Sequence, residues 1–170
     1  MRTVLPRTAC ASLLLATVLT TATYASTVSV VALTLPKLVA GSELIVVGTV
    51  EPQRDGPASP PHVCDIRVSE VLKAPASIRA QLIGRTLRLF DLEQEFARAH
   101  ADLIAAGVIS YVVRRYSTTA PGPSAGDRLI FFIGQPAGAP DPPYFLSCSG
   151  SNEPISAKRA VLRALKRVVD

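Results

Sequence analysis

ELIVVGTV, residues 43–50, is the stretch of this chain that decides its fold class. Its β-branched residues run almost without interruption, a pattern typical of a strand covered on both faces. Gly48 interrupts the run and predicts a β-bulge or a sharp bend at that position. The stretch DRLIFFI, residues 127–133, is equally rich in strand-forming residues. The two stretches therefore predict a mainly β protein.

Further strands are predicted along the rest of the chain. Residues 62–72 alternate, with Cys64, Ile66 and Val68 pointing inward. The alternation fails near residues 69–70, where a β-bulge would restore it. The other strand predictions cover residues 85–90, 108–116 and 144–149.

A short helix is predicted over residues 34–41. Thr34 can cap it, Pro36 suits its first turn, and Gly41 can end it. Residues 73–77 contain proline and small residues and are interpreted as a turn.

A second helix is predicted over residues 92–106, because the hydrophobic period changes there to that of a helix. Arg98 and Asp102 are spaced to form an ion pair between positions i and i+4, and Gly107 can end the helix. One face of this helix carries Phe96, His100, Leu103 and Ile104.

The C-terminus predicts an amphipathic helix that begins near residues 151–152, with Pro154 in its first turn. Its apolar stripe consists of Val161, Leu162, Leu165, Val168 and Val169. The opposite, basic face consists of Arg159, Arg163, Lys166 and Arg167.

The order strand–strand–strand–helix–strand–strand predicts a small OB-like Greek-key barrel of five to six strands. The internal helix would be inserted between strands, and the C-terminal helix would follow the barrel. An open antiparallel sheet with helices on one face is the alternative.

The N-terminus has the three parts of a secretory signal peptide. Arg2 and Arg7 precede an apolar run over residues 9–18, and Thr23 and Ala25 occupy positions −3 and −1 of a cleavage site. The run is shorter than the roughly 20 apolar residues that a membrane-spanning helix needs. We therefore predict a signal peptide over residues 1–25 and a single exported domain over residues 26–170, in the periplasm or outside the cell.

Cleavage after Ala25 would remove Cys10 and leave Cys64 and Cys148. Two cysteines in an exported chain usually pair, so we expect a Cys64–Cys148 disulfide, with two buried free thiols as the alternative. In the predicted barrel the two residues lie on the second and the last strands.

Three segments resemble a pattern found in uncharacterised exported bacterial proteins. They are SELIVVGTV at residues 42–50, VSEVLK at residues 68–73 and GDRLIFF at residues 126–132. This pattern is similar to the netrin-like module of tissue inhibitors of metalloproteinases, which is an OB barrel. The resemblance covers roughly residues 35–147 and implies the fold alone, because those inhibitors chelate zinc through an N-terminal cysteine and the expected mature N-terminus here is Ser26.

The polar residues do not combine into a catalytic or cofactor motif. His62 and Cys64 could begin a zinc site, but His100 is the one other histidine, so no metal or other cofactor is predicted. A serine hydrolase would need His100 to meet Ser110, Ser147 or Ser149, without the support of a G-x-S-x-G elbow.

Asp91, Glu93 and Glu95 could form the paired carboxylates of a glycosidase. We interpret Asp91 and Glu93 instead as the acidic N-terminus of a helix, where negative charge is favourable.

We therefore predict an exported, non-catalytic module that binds a protein or envelope partner. The barrel face, residues 51–61 and residues 92–119 are candidate surfaces. The formal charge of +5 would fall by two with the signal peptide, and aromatic residues do not alternate with arginines, so no nucleic-acid partner is predicted. Two alternatives are a small secreted hydrolase using His100, and a protein that binds an anionic membrane surface through the basic face of the C-terminal helix.

Overall fold

The computed structural model describes residues 28–52, 62–106, 108, 111–118, 120, 122–134 and 144–169. The predicted signal peptide, Gly107 and most of the predicted loop over residues 51–61 lie outside this range. No helix within the described part of the chain is long and apolar enough to cross a membrane.

The described residues form eight strands and five α-helices. The strands are β1 (Val28–Leu33), β2 (Leu44–Val50), β3 (His62–Lys73), β4 (Thr86–Phe90), β5 (Tyr111–Tyr116), β6 (Arg128–Gly134), β7 (Tyr144–Leu146) and β8 (Asn152–Pro154). The helices are α1 (Leu35–Gly41), α2 (Ala76–Leu82), α3 (Leu92–Ala99), α4 (Ala101–Ala105) and α5 (Lys158–Val169), and a 3-10 turn over Ile155–Ala157 precedes α5.

Five strands close into a barrel. They follow one another around it in the order β2, β3, β4, β7 and β6, and β6 returns to pair with β2. All neighbours are antiparallel except β4 and β7, and β8 pairs with β6 beside the barrel. The prediction of a mainly β barrel is confirmed, and the open sheet is excluded because the β2–β6 pairing closes the ring.

Two apolar cores lie on opposite sides of β2 and β6. Leu44 and Val46 point into the barrel, where they meet Phe131 of β6. Ile45 and Val47 point outward into a second core. This second core also contains Leu38 and Val39 of α1, Ile130 and Phe132 of β6, and Val161 and Ala164 of α5. The unbroken apolar runs of β2 and β6 are therefore explained by burial on both faces.

Two bulges in β3 set which of its residues enter each core. Along its pairing with β2, Ser69 and Leu72 are each passed over in the register. The first bulge confirms the one predicted near residues 69–70, and the second turns Leu72 toward the outer core. Gly48 lies opposite the first bulge, where a Cβ atom would stand 3.0 Å from Cδ1 of Ile66.

Several helix predictions need correction. The segment interpreted as a turn continues into α2, which begins at Ala76. The helix predicted over residues 92–106 breaks at His100 into α3 and α4. Because Asp102 then belongs to the second piece, Arg98 pairs with Glu95 at 3.0 Å and not with Asp102.

The C-terminal helix begins at Lys158, several residues later than predicted. Residues 152–154 pair with β6 as β8, so the predicted cap near residues 151–152 and the placing of Pro154 in a first helical turn are wrong. Strand pairing satisfies the backbone groups of these residues and delays the start of the helix.

A second, two-stranded sheet lies outside the barrel. β1 and β5 pair in parallel over six residue pairs, from Val28–Tyr111 to Leu33–Tyr116. The amide of Tyr116 donates to the carbonyl of Ser149 at 3.2 Å, which connects this ribbon to the barrel. β5 corresponds to the strand predicted over residues 108–116, whereas β1 was not predicted.

Candidate functional site

Helix α5 buries one side and exposes a basic side. Val161 and Ala164 are buried in the second core, against α1 and the outer faces of β2 and β6. This differs from the predicted apolar stripe, because Leu162 and Val168 remain 40% and 44% exposed. The four cations of the predicted basic face, Arg159, Arg163, Lys166 and Arg167, are all exposed. We call this surface the α5 face.

The four cations of the α5 face form no ion pair with any residue that the structure describes. Lys158, at the start of the same helix, forms an ion pair with Glu70 at 2.6 Å. By contrast, no hydrogen bond or ion pair joins Arg159, Arg163, Lys166 or Arg167 to another residue in the described ranges. Four exposed positive charges on about three turns of helix create a positive local potential that attracts anionic groups.

A groove runs along the α5 face, and we call it the α5 groove. It consists of two adjoining recesses with volumes of about 490 and 670 Å³. The first recess, toward α2, is lined by Leu72, Lys73, Ala74, Arg79, Leu165, Lys166 and Val168. The second recess is lined by Leu72, Arg159, Leu162, Arg163, Leu165 and Lys166. Apolar side chains thus form its floor, and cations stand at its rim.

Two further cations that line the first recess, Lys73 and Arg79, donate hydrogen bonds to backbone carbonyls. Lys73 donates through Nζ to the carbonyl oxygens of Val39 and Ser42 at the C-terminal end of α1. Burial lowers the pKa of Lys73, although Glu43 nearby acts in the opposite direction. Arg79 donates from Nη2 to the carbonyl of Val71 at 3.0 Å, which holds its guanidinium at the rim.

The two cysteines are buried free thiols, so the predicted Cys64–Cys148 disulfide is wrong. Cys64 belongs to the barrel core, whereas Cys148 follows β7 and lies in the second core. Burial, with a smaller contribution from Asp65, raises the pKa of Cys64 to about 12. Burial, followed by the charge of Glu93, raises the pKa of Cys148 to about 11. Thiols with such pKa values are protonated at neutral pH and are poor nucleophiles.

The acidic residues after β4 have a structural role. Asp91 accepts a hydrogen bond from the amide of Glu93 at 3.0 Å, so it caps α3 as the helix-terminus interpretation predicted. Its other oxygen accepts from the hydroxyl of Ser149 at 2.7 Å. Glu93 accepts from the amide of Arg114 at 2.9 Å, and burial raises its pKa. These contacts connect α3 to the end of the barrel and to the β1–β5 ribbon.

The contacts of His100 are with Phe96, and those of Ser147 and Ser149 are with other residues. Its ring stacks on Phe96 with centroids 4.3 Å apart, and Nδ1 lies 3.0 Å from the carbonyl oxygen of Phe96. The hydroxyl of Ser147 pairs with Ser42 and that of Ser149 with Asp91. Ser110 lies outside the described residues, and the hydrolase stays a prediction.

His62 belongs to a hydrogen-bonded group with Asp65 and Arg88. Its Nε2 lies 3.1 Å from Asp65, which also accepts from Nε of Arg88 at 3.2 Å. Among the residues described by the structure, no group of three or more His, Cys, Asp or Glu side chains could hold a metal ion.

The comparisons with known proteins add no relative. Neither a protein-family model nor a curated protein sequence matches this chain.

Proposed function

We propose that this chain is an exported, non-catalytic module that binds an anionic protein or envelope partner through the α5 face. In this proposal residues 1–25 direct export and are removed. The single observation that carries the proposal is the set of four exposed cations that form no ion pair within the described ranges, beside an apolar groove. Charges that stabilise no partner within the fold are available to a partner outside it.

We infer further that the barrel is of the OB-like Greek-key type. Its strand order supports this, because β7 lies between β4 and β6 and pairs in parallel with β4, an arrangement of non-consecutive neighbours typical of Greek-key barrels. The resemblance to netrin-like modules concerns this fold level alone. It assigns no inhibitory role to the chain.

A membrane surface is the second candidate partner. Leu162 and Val168 are exposed on the same helix as the cations, as are the side chains of amphipathic helices that bind anionic lipids. Each cation near such a surface contributes about 1 kcal/mol of attraction. The exposed part of α5 is short, however, and its apolar residues line a recess.

The test compares two charge-reversed variants of the mature chain. The first is Arg163→Glu with Lys166→Glu, in the α5 face. The matched control is Arg115→Glu with Arg128→Glu, two exposed arginines elsewhere that undergo the same change in net charge. Binding is measured to immobilised envelope protein extract and to vesicles containing phosphatidylglycerol, at two ionic strengths.

We expect the wild-type chain and the control variant to be retained at low salt and released as ionic strength rises, because exposed charges are screened over about 10 Å at 0.1 M salt. The α5-face variant is expected to lose retention at all salt concentrations. Equal retention of the two variants would show that overall charge, and not the α5 face, determines binding.

A further inference from the structure

The shape of the α5 groove indicates the chemical class of its partner, which the charges alone do not. Leu72 and Leu165 line both recesses, so the two hollows adjoin across a shared apolar floor. Leu72 reaches this position because the second bulge in β3 turns it outward. Both recesses are open to solvent, and each is large enough for an apolar side chain from another molecule.

The polar groups around this floor favour acidic ligands. Lys166 lines both recesses, and Arg159 and Arg163 stand at the rim of the second. Arg79 closes the first recess, with its guanidinium oriented by the Val71 carbonyl. Among the residues that the structure describes, no acidic side chain lines either recess. The rim is thus complementary in charge to carboxylates.

We propose that the α5 groove binds an acidic amphipathic peptide segment of a partner protein, with apolar side chains in the recesses and carboxylates at the rim. This inference rests on the proposed function and names the partner class. A flat bilayer would meet the rim cations and leave the concave floor uncovered, whereas a peptide fills the recesses and pairs with the rim at once. Helices that dock into hydrophobic grooves use this combination of anchors and flanking charges.

The experiment selects ligands without assuming their sequence. A phage library of random peptides is panned against the mature chain, and enriched peptides are synthesised and titrated by fluorescence anisotropy. The variants are Arg163→Glu, which reverses a rim charge, and Leu162→Ser, which removes an apolar lining group. Their matched controls are Arg128→Glu and Leu103→Ser, at exposed positions of the same residue types away from the groove.

We expect enriched peptides to combine Asp or Glu with Leu, Ile or Phe. Arg163→Glu is expected to weaken their binding about tenfold, as truncation of a central arginine does in other interfaces. Leu162→Ser is expected to weaken it about threefold, since this side chain is partly exposed before binding. The two control variants are expected to bind as the wild-type chain does.

Two results would overturn the inference. The first is an absence of enriched acidic peptides, and the second is enriched peptides that bind all four variants equally. If phosphatidylglycerol vesicles bind with the Arg163→Glu sensitivity while no peptide is enriched, the partner is a membrane and the proposed function stands without this inference. If neither peptides, vesicles nor envelope extract show that sensitivity, both proposals fail.

Discussion

The closed barrel and the β1–β5 ribbon contain similar apolar residues, but the barrel buries them and the ribbon exposes several of them. In β2, residues 44–47 are fully buried between two cores. In the ribbon, Val30, Val31 and Val112 are 60%, 45% and 59% exposed. β1 and β2 are both rich in valine. However, β2 has neighbours on both edges and both faces, whereas β1 has β5 on one edge.

The amino-acid composition of a strand alone therefore does not determine how much that strand contributes to stability. Each β2 side chain removes apolar area from water on folding, while an exposed valine of the ribbon removes much less. Parallel strands usually lie in sheets covered on both faces, and a two-stranded sheet is marginal by itself. We therefore expect substitutions in the barrel to change the free energy of unfolding far more than those in the ribbon.

The largest expected effect comes from the barrel core. Phe131→Ala removes a side chain that is 1% exposed, and we expect it to lower the free energy of unfolding by about 3–5 kcal/mol. Val112→Ala in the ribbon is the matched control, with an expected change of about 0.5 kcal/mol or less. Urea denaturation of the mature chain measures both. Similar losses for the two variants would show that the ribbon is as tightly packed as the barrel.

The second effect concerns alkaline pH. The pKa values of Cys64 and Cys148 are raised in the folded state to about 12 and about 11. Between the unfolded pKa near 9 and these values, the unfolded state loses thiol protons that the folded state keeps. The contribution of the two thiols to the free energy of unfolding is therefore fully present below about pH 9 and is lost as the pH rises above it. Each thiol contributes a slope of up to about 1.4 kcal/mol per pH unit.

Denaturation midpoints at pH 8 and at higher pH measure this slope. Cys64→Ala is the comparison, because its free energy of unfolding should decline less steeply with pH. In parallel, a thiol reagent should react with neither cysteine in the native chain and with both after denaturation. A single rapidly reacting thiol in native protein would contradict the burial of both groups.

The third effect tests the close packing of Gly48 opposite the first bulge in β3. Gly48→Ala would place a Cβ atom 3.0 Å from Cδ1 and 3.1 Å from Cβ of Ile66, so we expect a loss of about 1–3 kcal/mol from overpacking. Gly122→Ala is the control, since a Cβ atom there meets no atom within 4 Å. Thermal unfolding of the two variants should separate clearly, and equal melting temperatures would argue against tight packing at Gly48.

The smallest effect concerns the contact between α3 and the end of the barrel. Asp91→Ala removes the cap of α3 and the acceptor of the Ser149 hydroxyl, and we expect a loss of about 1–2 kcal/mol. Ser149→Ala and the double variant complete a cycle that isolates the pair. Additive losses in that cycle would indicate that the Asp91–Ser149 hydrogen bond does not couple α3 to the barrel.

The sequence predicted the barrel strands well, because each one buries a regular pattern of apolar side chains. β2, β3, β4 and β6 were predicted to within a residue or two at their ends, as was α1. The bulge at Ser69 was also visible, since the inward positions change parity between Val68 and Val71. These signals are local, so they need no knowledge of distant partners.

Other elements depend on partners that a local pattern does not reveal. β8 is a strand because residues 152–154 meet β6, although their sequence suits a helix start. β1 pairs with a strand far along the chain. The disulfide prediction failed for a related reason, because the spacing of Cys64 and Cys148 says nothing about which of the two cores each thiol enters.

The candidate site likewise combines residues that a local pattern identified with residues that it did not. The helical period alone identified Arg159, Arg163, Lys166 and Arg167 as one face, because i, i+3 and i+4 neighbours share a side of any helix. Leu72 and Arg79 also line the α5 groove, although neither was predicted as a site residue. Leu72 needed a bulge to turn it outward, and Arg79 needed a helix that the sequence did not predict.

The mainly β class, most of the strands that line the barrel and the cationic side of α5 were predictable from local patterns, since they follow from periodicities of two and of 3.6 residues. The ring closure between β2 and β6, the separation of the two thiols and the apolar floor beneath the cations became visible in the folded chain. Those features depend on which segments meet after the chain has folded, and contacts between residues far apart in sequence leave no local periodic trace.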